Sequence, residues 1–181
     1  MNKRYGLRTL ISMMICIGLM FGAISMACAE GKPVPPKPIK KMTSEEIVAY
    51  AKKLFLGFTG DEHTPMDKFA EDAVFIDVTR PVKKVFKGKK AIGEFLMDYA
   101  GMTGWELDIL AEAYDAKNNR VGFEWIWRSV HDKGPYDGIP PRGIKTSIMG
   151  STWITINDEG LIQEEKDVWN REHLVQQLCA D

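Results

Sequence analysis

Four stretches in which apolar and polar residues alternate, 105–114, 120–132, 144–157 and 161–169, constrain this chain more than any other feature. A period of two places successive side chains on opposite faces, which a strand satisfies and a helix of 3.6 residues per turn does not. The first connection, Asp115 to Asn119, and the last, Asn157-Asp158-Glu159-Gly160, are short and built from residues that tolerate left-handed backbone angles. An antiparallel meander follows. In the second run Phe123, Trp125 and Trp127 share one face while Glu124, Ile126 and Arg128 share the other, and so much aromatic surface has to be covered.

The cover comes from the preceding residues, where the period is helical. Thr43-Ser44-Glu45-Glu46 is a capping-box start, and Ile47, Tyr50, Ala51, Leu54 and Phe58 form the stripe of a first helix ending near Gly57 to Gly60. Thr64 before Pro65 predicts a short second helix to Phe69. Ala73 to Val78 reads as a strand with Val85-Phe86 as its hairpin partner. Gly88 opens a third helix with the stripe Ile92, Phe95, Leu96 and Tyr99, and Asn170 caps a closing helix through Leu178. The fold class is α+β: a curved antiparallel sheet covered by three N-terminal helices, with a short C-terminal helix.

Residues 1–29 stand apart. Lys3, Arg4 and Arg8 precede the apolar run Leu10 to Ala27, and Ala27-Cys28-Ala29 supplies the small residues that a signal peptidase reads. A cleaved signal, a mature chain beginning near Glu30 and a periplasmic or secreted location are expected. The alternatives are an uncleaved membrane anchor and lipidation at Cys28, and membrane contact is expected through these alone. Residues 30–42, with the run GKPVPPKPIKK, read as an extended Pro/Lys-rich linker, and 43–181 as the domain.

Without residues 1–29 the chain holds 21 Lys and Arg against 25 Asp and Glu, an acidic balance that offers nothing to nucleic acid. Cys179 is the single cysteine beyond the signal, so no internal disulfide is expected. With few His residues there is no metal-ligand spacing, and no cofactor is expected.

The order helix, helix, short hairpin, helix, four-strand meander resembles the nuclear transport factor two fold, a cone in which a curled sheet and its helices enclose a pocket. Two stretches resemble its SnoaL-like polyketide cyclase branch. One is the loop His131, Gly134-Pro135-Tyr136-Asp137-Gly138-Ile139-Pro140-Pro141-Arg142-Gly143-Ile144-Lys145, and the other is the tail from Gly160-Leu161-Ile162 through Asp167-Val168-Trp169-Asn170 to Leu178. Two positions depart from the branch: Arg142 stands where Thr is common, and Asn170 where the closing strand commonly ends in Asp.

The resemblance implies a pocket for a small apolar or cyclic molecule, with proton transfer of isomerase or cyclase type. It implies acid/base roles for Asp77, which matches the base of the ketosteroid isomerases, and for Asp167 on the closing strand, with His131 able to orient an acid. It places Tyr50 as an oxyanion donor, but puts Thr152 where those enzymes keep a second acid. Tyr50, Trp125, Trp127, Trp153 and Trp169 are the expected ligand-binding residues. A carboxylate in an apolar pocket has its neutral form favoured, which suits it to such chemistry. Two other readings stand beside the enzyme: a noncatalytic binding domain using the same pocket, and an interaction domain forming a homodimer through its open sheet face.

Overall fold

The structure, a computed structural model, describes residues 33–57, 66–82 and 84–180. The expected signal segment with Cys28, the helix start at Thr64-Pro65, and Phe58 lie outside the described residues.

Helix α1 spans Ser44–Leu56 and begins at the expected capping box. Thr43 Oγ1 accepts from the Glu46 amide at 3.3 Å, and the Glu46 carboxylate accepts from the Thr43 amide at 2.7 Å. Reciprocal satisfaction of two otherwise orphaned donors fixes this end. The helix buries Ile47, Tyr50, Ala51 and Leu54 of the expected stripe, and with them Phe55, which the spacing did not single out. Helix α2, Lys89–Leu96, continues into a 3₁₀ turn over Met97–Tyr99, and α3, Arg171–Cys179, is capped by Asn170 Oδ1, which accepts from the His173 amide at 2.9 Å.

Six strands, β1 (Phe69–Asp77), β2 (Val85–Lys87), β3 (Met102–Asp115), β4 (Arg120–His131), β5 (Ile144–Ile156) and β6 (Ile162–Trp169), form one sheet in the order β2-β1-β6-β5-β4-β3. The meander β3 to β6 is antiparallel throughout, joined by the two expected short turns and, between β4 and β5, by the longer loop 132–143. β1 is paired to β6 in parallel, so the sheet is mixed where an antiparallel one was expected. No local turn joins these two strands, and alternation reports which face a residue takes but not which way its strand runs.

Two further expectations are corrected. Residues 66–68 form a 3₁₀ turn, and Phe69, expected at the end of a second helix, opens β1 with its side chain fully buried. The packing of an apolar Phe69-Ala70 against the sheet outweighs a weak local helix signal. The linker's second half is also no free tether: Ile39–Lys41 form a 3₁₀ turn, Ile39 is buried in the core, and Lys40 pairs with Asp158.

The sheet face bearing Phe123, Trp125 and Trp127 is the covered one. Phe55 from α1 stacks on Phe123 with ring centres 5.3 Å apart, and from α2 Phe95 stacks on Phe86 at 4.1 Å.

Candidate active site

Strand register assembles the polar part of the site. Asp77 on β1 is opposite Asp167 on β6, Asp167 is opposite Thr152 on β5, and Thr152 is opposite Phe123 on β4, making one transverse row on the covered face. The neighbouring rows are Phe75, Glu165 and Ile154 on one side and Trp169, Gly150 and Trp125 on the other. Period-two alternation along β6 therefore aims Glu165, Asp167 and Trp169 the same way.

Gly150 is what lets the two indole walls meet: a Cβ there would lie 2.5 Å from the Trp125 ring and 2.9 Å from Trp169 Cβ. Tyr99, at the end of the turn after α2, stands edge-on to both Trp127 and Trp169, and Trp105 stands edge-on to Trp127 at 5.3 Å.

These residues enclose a cavity of about 110 Å³. Its walls are mainly Phe55, Phe75, Phe95, Tyr99, Trp105, Trp125, Trp127 and Trp169, with Leu96, Leu107 and Ile148 between them, and its polar groups are Asp77, Thr152, Glu165 and Asp167. The volume is of the order of the ~150 Å³ apolar cavity that takes up one benzene ring.

Three carboxyl groups thus share an apolar chamber. Asp77, only 1% exposed, has Oδ1 taken by Thr79, whose amide donates at 2.9 Å and hydroxyl at 2.6 Å, while Oδ2 faces Arg80 Nε at 3.7 Å. Arg80 also bonds Asp98 at 2.9 Å and lies over the Phe95 ring. Burial pushes Asp167 up from its ordinary 3.8 to about 7; the Thr152 hydroxyl pulls it partly back, and the Asp77 charge adds to the rise. Glu165, 3% exposed and with Oε2 unbonded, is held well above the usual carboxylate range by burial and then by the charge of Asp167. Tyr99 is likewise raised well above the ordinary phenol, chiefly by burial, so it remains a donor.

Asp77, Asp167, Trp125, Trp127 and Trp169, all expected at the site, line the cavity together. Tyr50, His131 and Trp153 do not. The Tyr50 hydroxyl donates to Gly160 O at 3.0 Å, tying α1 to the β5–β6 turn. Trp153 has the opposite strand phase from Thr152 and sits in an outer groove with Met149 and Val168, its ring under the Arg120 guanidinium. His131 is fully buried rather than solvated: its Nε2–H donates to Gly134 O at 2.8 Å, and its carbonyl accepts from the Arg142 and Gly143 amides, so it closes the base of the loop.

That loop, 132–143, reverses at Tyr136-Asp137-Gly138-Ile139, where Asp137 and Gly138 both hold positive φ, 54° and 79°, as an Asp-Gly turn permits. Its buried Tyr136 backs Tyr99 at 5.4 Å without reaching the cavity. Arg142 points away from the site and donates to the carbonyls of Leu178 and Ala180 at the end of α3.

Glu165 and Tyr99 were not singled out as site residues. The signals were present: Glu165 shares the strand phase of Asp167, and Tyr99 ends the α2 stripe. What periodicity lacks is the distance from each stripe to the cavity. Among the described residues no group of acidic, His or Cys side chains is arranged to hold a metal ion.

No protein family and no curated protein matches the sequence itself. Solved structures do match the fold. A protein from Jannaschia sp. CCS1 assigned as a SnoaL-like polyketide cyclase superposes with a TM-score of 0.63 at 17% identity, over 75% of this chain and 92% of its own. A ketosteroid isomerase-like protein from Catenulispora acidiphila, solved with trimethylamine, gives 0.53 at 15% identity over 77% and 96%. A computationally designed 17-OHP binder gives 0.54 at 20% identity over 70% and 95%. The chain therefore has the α+β cone fold of the nuclear transport factor two type, which SnoaL-like and ketosteroid isomerase-like proteins share.

Proposed function

We propose that this chain is an exported protein of the SnoaL-like branch that binds a small apolar molecule of about one ring in its cavity and moves a proton on it, with Asp167 as acid and base. The observation that carries the reading is Asp167 itself, on the wall of an aromatic cavity and raised to about 7, where both protonation states are available near neutrality.

The chemistry suits a ring ketone with a β,γ double bond. The Asp167 carboxylate takes a proton from the carbon between carbonyl and alkene, the electron pair moves onto the ketone oxygen, and the same proton is returned to the γ carbon. Glu165, kept protonated by burial, and the Tyr99 phenol are the donors available to that oxygen. Trp125, Trp127 and Trp169 exclude water, and Asp77 adds a fixed charge that favours the protonated acid.

The test is conversion of cyclohex-3-en-1-one to its conjugated isomer, followed by absorbance. The wild-type rate should rise with pH through about 7 as the base ionises, and Asp167→Asn should lose at least ~100-fold. Equal rates in both proteins would leave a noncatalytic binder.

The homodimer is part of the same proposal. Met149, 55% exposed, and Val168, 43% exposed, line the outer groove with Trp153, an apolar surface suited to a second copy. Native mass spectrometry of protein from its own host reads the subunit count, any retained molecule and the mature N-terminus near Glu30 together; a monomer with an intact N-terminus would count against both dimer and export.

A further inference from the structure

Between Asp167 and the rest of the sheet runs a two-step hydrogen-bond relay that the proton-transfer reading does not use. Trp125 Nε1 donates to Thr152 Oγ1 at 2.9 Å, and Thr152 Oγ1 donates to Asp167 Oδ1 at 2.6 Å. Trp125 and Thr152 are both buried, and among the described residues neither the hydroxyl nor the indole has a further hydrogen-bond partner. We infer that Thr152, oriented by Trp125, is a positioning residue that fixes which oxygen of Asp167 carries the proton and how acidic that proton is. The inference rests on the reading of Asp167 as the acid and base.

Each bond of the relay runs in one direction. An indole N–H can only donate, so it assigns a Thr152 lone pair to itself. The hydroxyl proton is left with one acceptor in reach, Asp167 Oδ1. Oδ1 is thereby committed as an acceptor, and the exchangeable proton belongs on Oδ2, which has no hydrogen-bond partner among the described residues and is the oxygen left for a ligand in the cavity. Each exchange with a bound molecule then uses one oxygen in one direction.

The same bond sets the acidity. Thr152 stabilises the carboxylate more than the acid, which opposes the rise caused by burial and by Asp77. Without it Asp167 would hold its proton too tightly to act as a base near neutrality. Threonine at this position therefore tunes the acid beside it. Thr152 also has the right place for the task, since it stands opposite Phe123 on β4 and opposite Asp167 on β6, and its hydroxyl reaches Asp167.

The experiment is a ¹³C NMR titration of the Asp167 side-chain carboxyl in the full chain, for wild type, Thr152→Val, Thr152→Ser and Trp125→Phe. The wild-type midpoint near 7 tests the acid/base reading alone, and a midpoint near 4 would end that reading whatever the variants do. The differences between variants test the relay. Losing a hydrogen bond to a charged group should move the Thr152→Val midpoint up by about one pH unit or more. Thr152→Ser should restore the wild-type midpoint, and Trp125→Phe should shift it upward by less than Thr152→Val, because the freed hydroxyl can still donate. Unchanged midpoints in Thr152→Val would overturn the inference. So would equal shifts in Val and Ser, which would mark a packing effect rather than a hydroxyl. Thr152→Val and Thr152→Ser differ little in volume from the native residue, so a folded protein is available for the decisive comparison even if Trp125→Phe is lost.

Discussion

Replacing Asp167 by Asn should make the protein more stable at alkaline pH, although it removes the group proposed to act. In the folded chain the Asp167 carboxyl is raised from 3.8 to about 7, first by burial and then by the charge of Asp77. Below pH 3.8 both folded and unfolded chains hold the proton, and the shift costs nothing. Between 3.8 and about 7 the unfolded chain releases a proton that the folded chain keeps, so stability falls as pH rises through this window and levels off above it. At about 1.4 kcal/mol per pH unit the full loss is about 4 kcal/mol, a large part of the 5–15 kcal/mol that holds a typical domain together. An asparagine still accepts from Thr152 through its carbonyl and carries no charge to desolvate. Asn should therefore stabilise the fold by up to ~4 kcal/mol at pH 8 and by under ~1 kcal/mol at pH 4. Urea unfolding of both proteins from pH 4 to 8, with extrapolation to water, measures the difference directly. A difference that does not change with pH, or an Asn variant less stable at pH 8, would refute the account of a strained, desolvated acid.

The other predictions concern the frame of the site. Gly150→Ala would set a methyl group 2.5 Å from the Trp125 ring, so it should cost about 1–3 kcal/mol and change the tryptophan fluorescence, both visible in one denaturation series; an unperturbed protein would mean the indole walls are freer than they stand. Arg142→Ala removes a cation bonded to the carbonyls of Leu178 and Ala180, and should cost about 1 kcal/mol with faster amide exchange confined to the last turn of α3; faster exchange around the cavity instead would return Arg142 to the pocket rim.

The sequence by itself determined the elements and their inner faces, because these rest on local causes. The capping box at Thr43, the Asn170 cap, the alternation through Phe123, Trp125 and Trp127 and the short turns each act within a few residues, and all are in place. The motif loop was legible as a turn, and its Asp137-Gly138 reversal follows from residues that tolerate positive φ. Alternation also put Glu165, Asp167 and Trp169 on one face, without marking Glu165 as a site residue.

Tertiary structure alone decided what those faces meet. That β1 runs parallel to β6 is a pairing between residues about ninety positions apart, with no turn between them to set its direction, and it is this pairing that brings Asp77 beside Asp167. Tyr50, His131 and Trp153 stand outside the cavity: Tyr50 bonds Gly160 across the fold and Trp153 lies under Arg120, contacts that no local pattern records, while His131 closes its own loop on Gly134. The acidity of Asp167 is of the same kind. A carboxyl's charge is written in the chain, but its pKa belongs to the water excluded by distant aromatic rings, to Asp77 and to Thr152, and those come together only when the sheet closes over its helices.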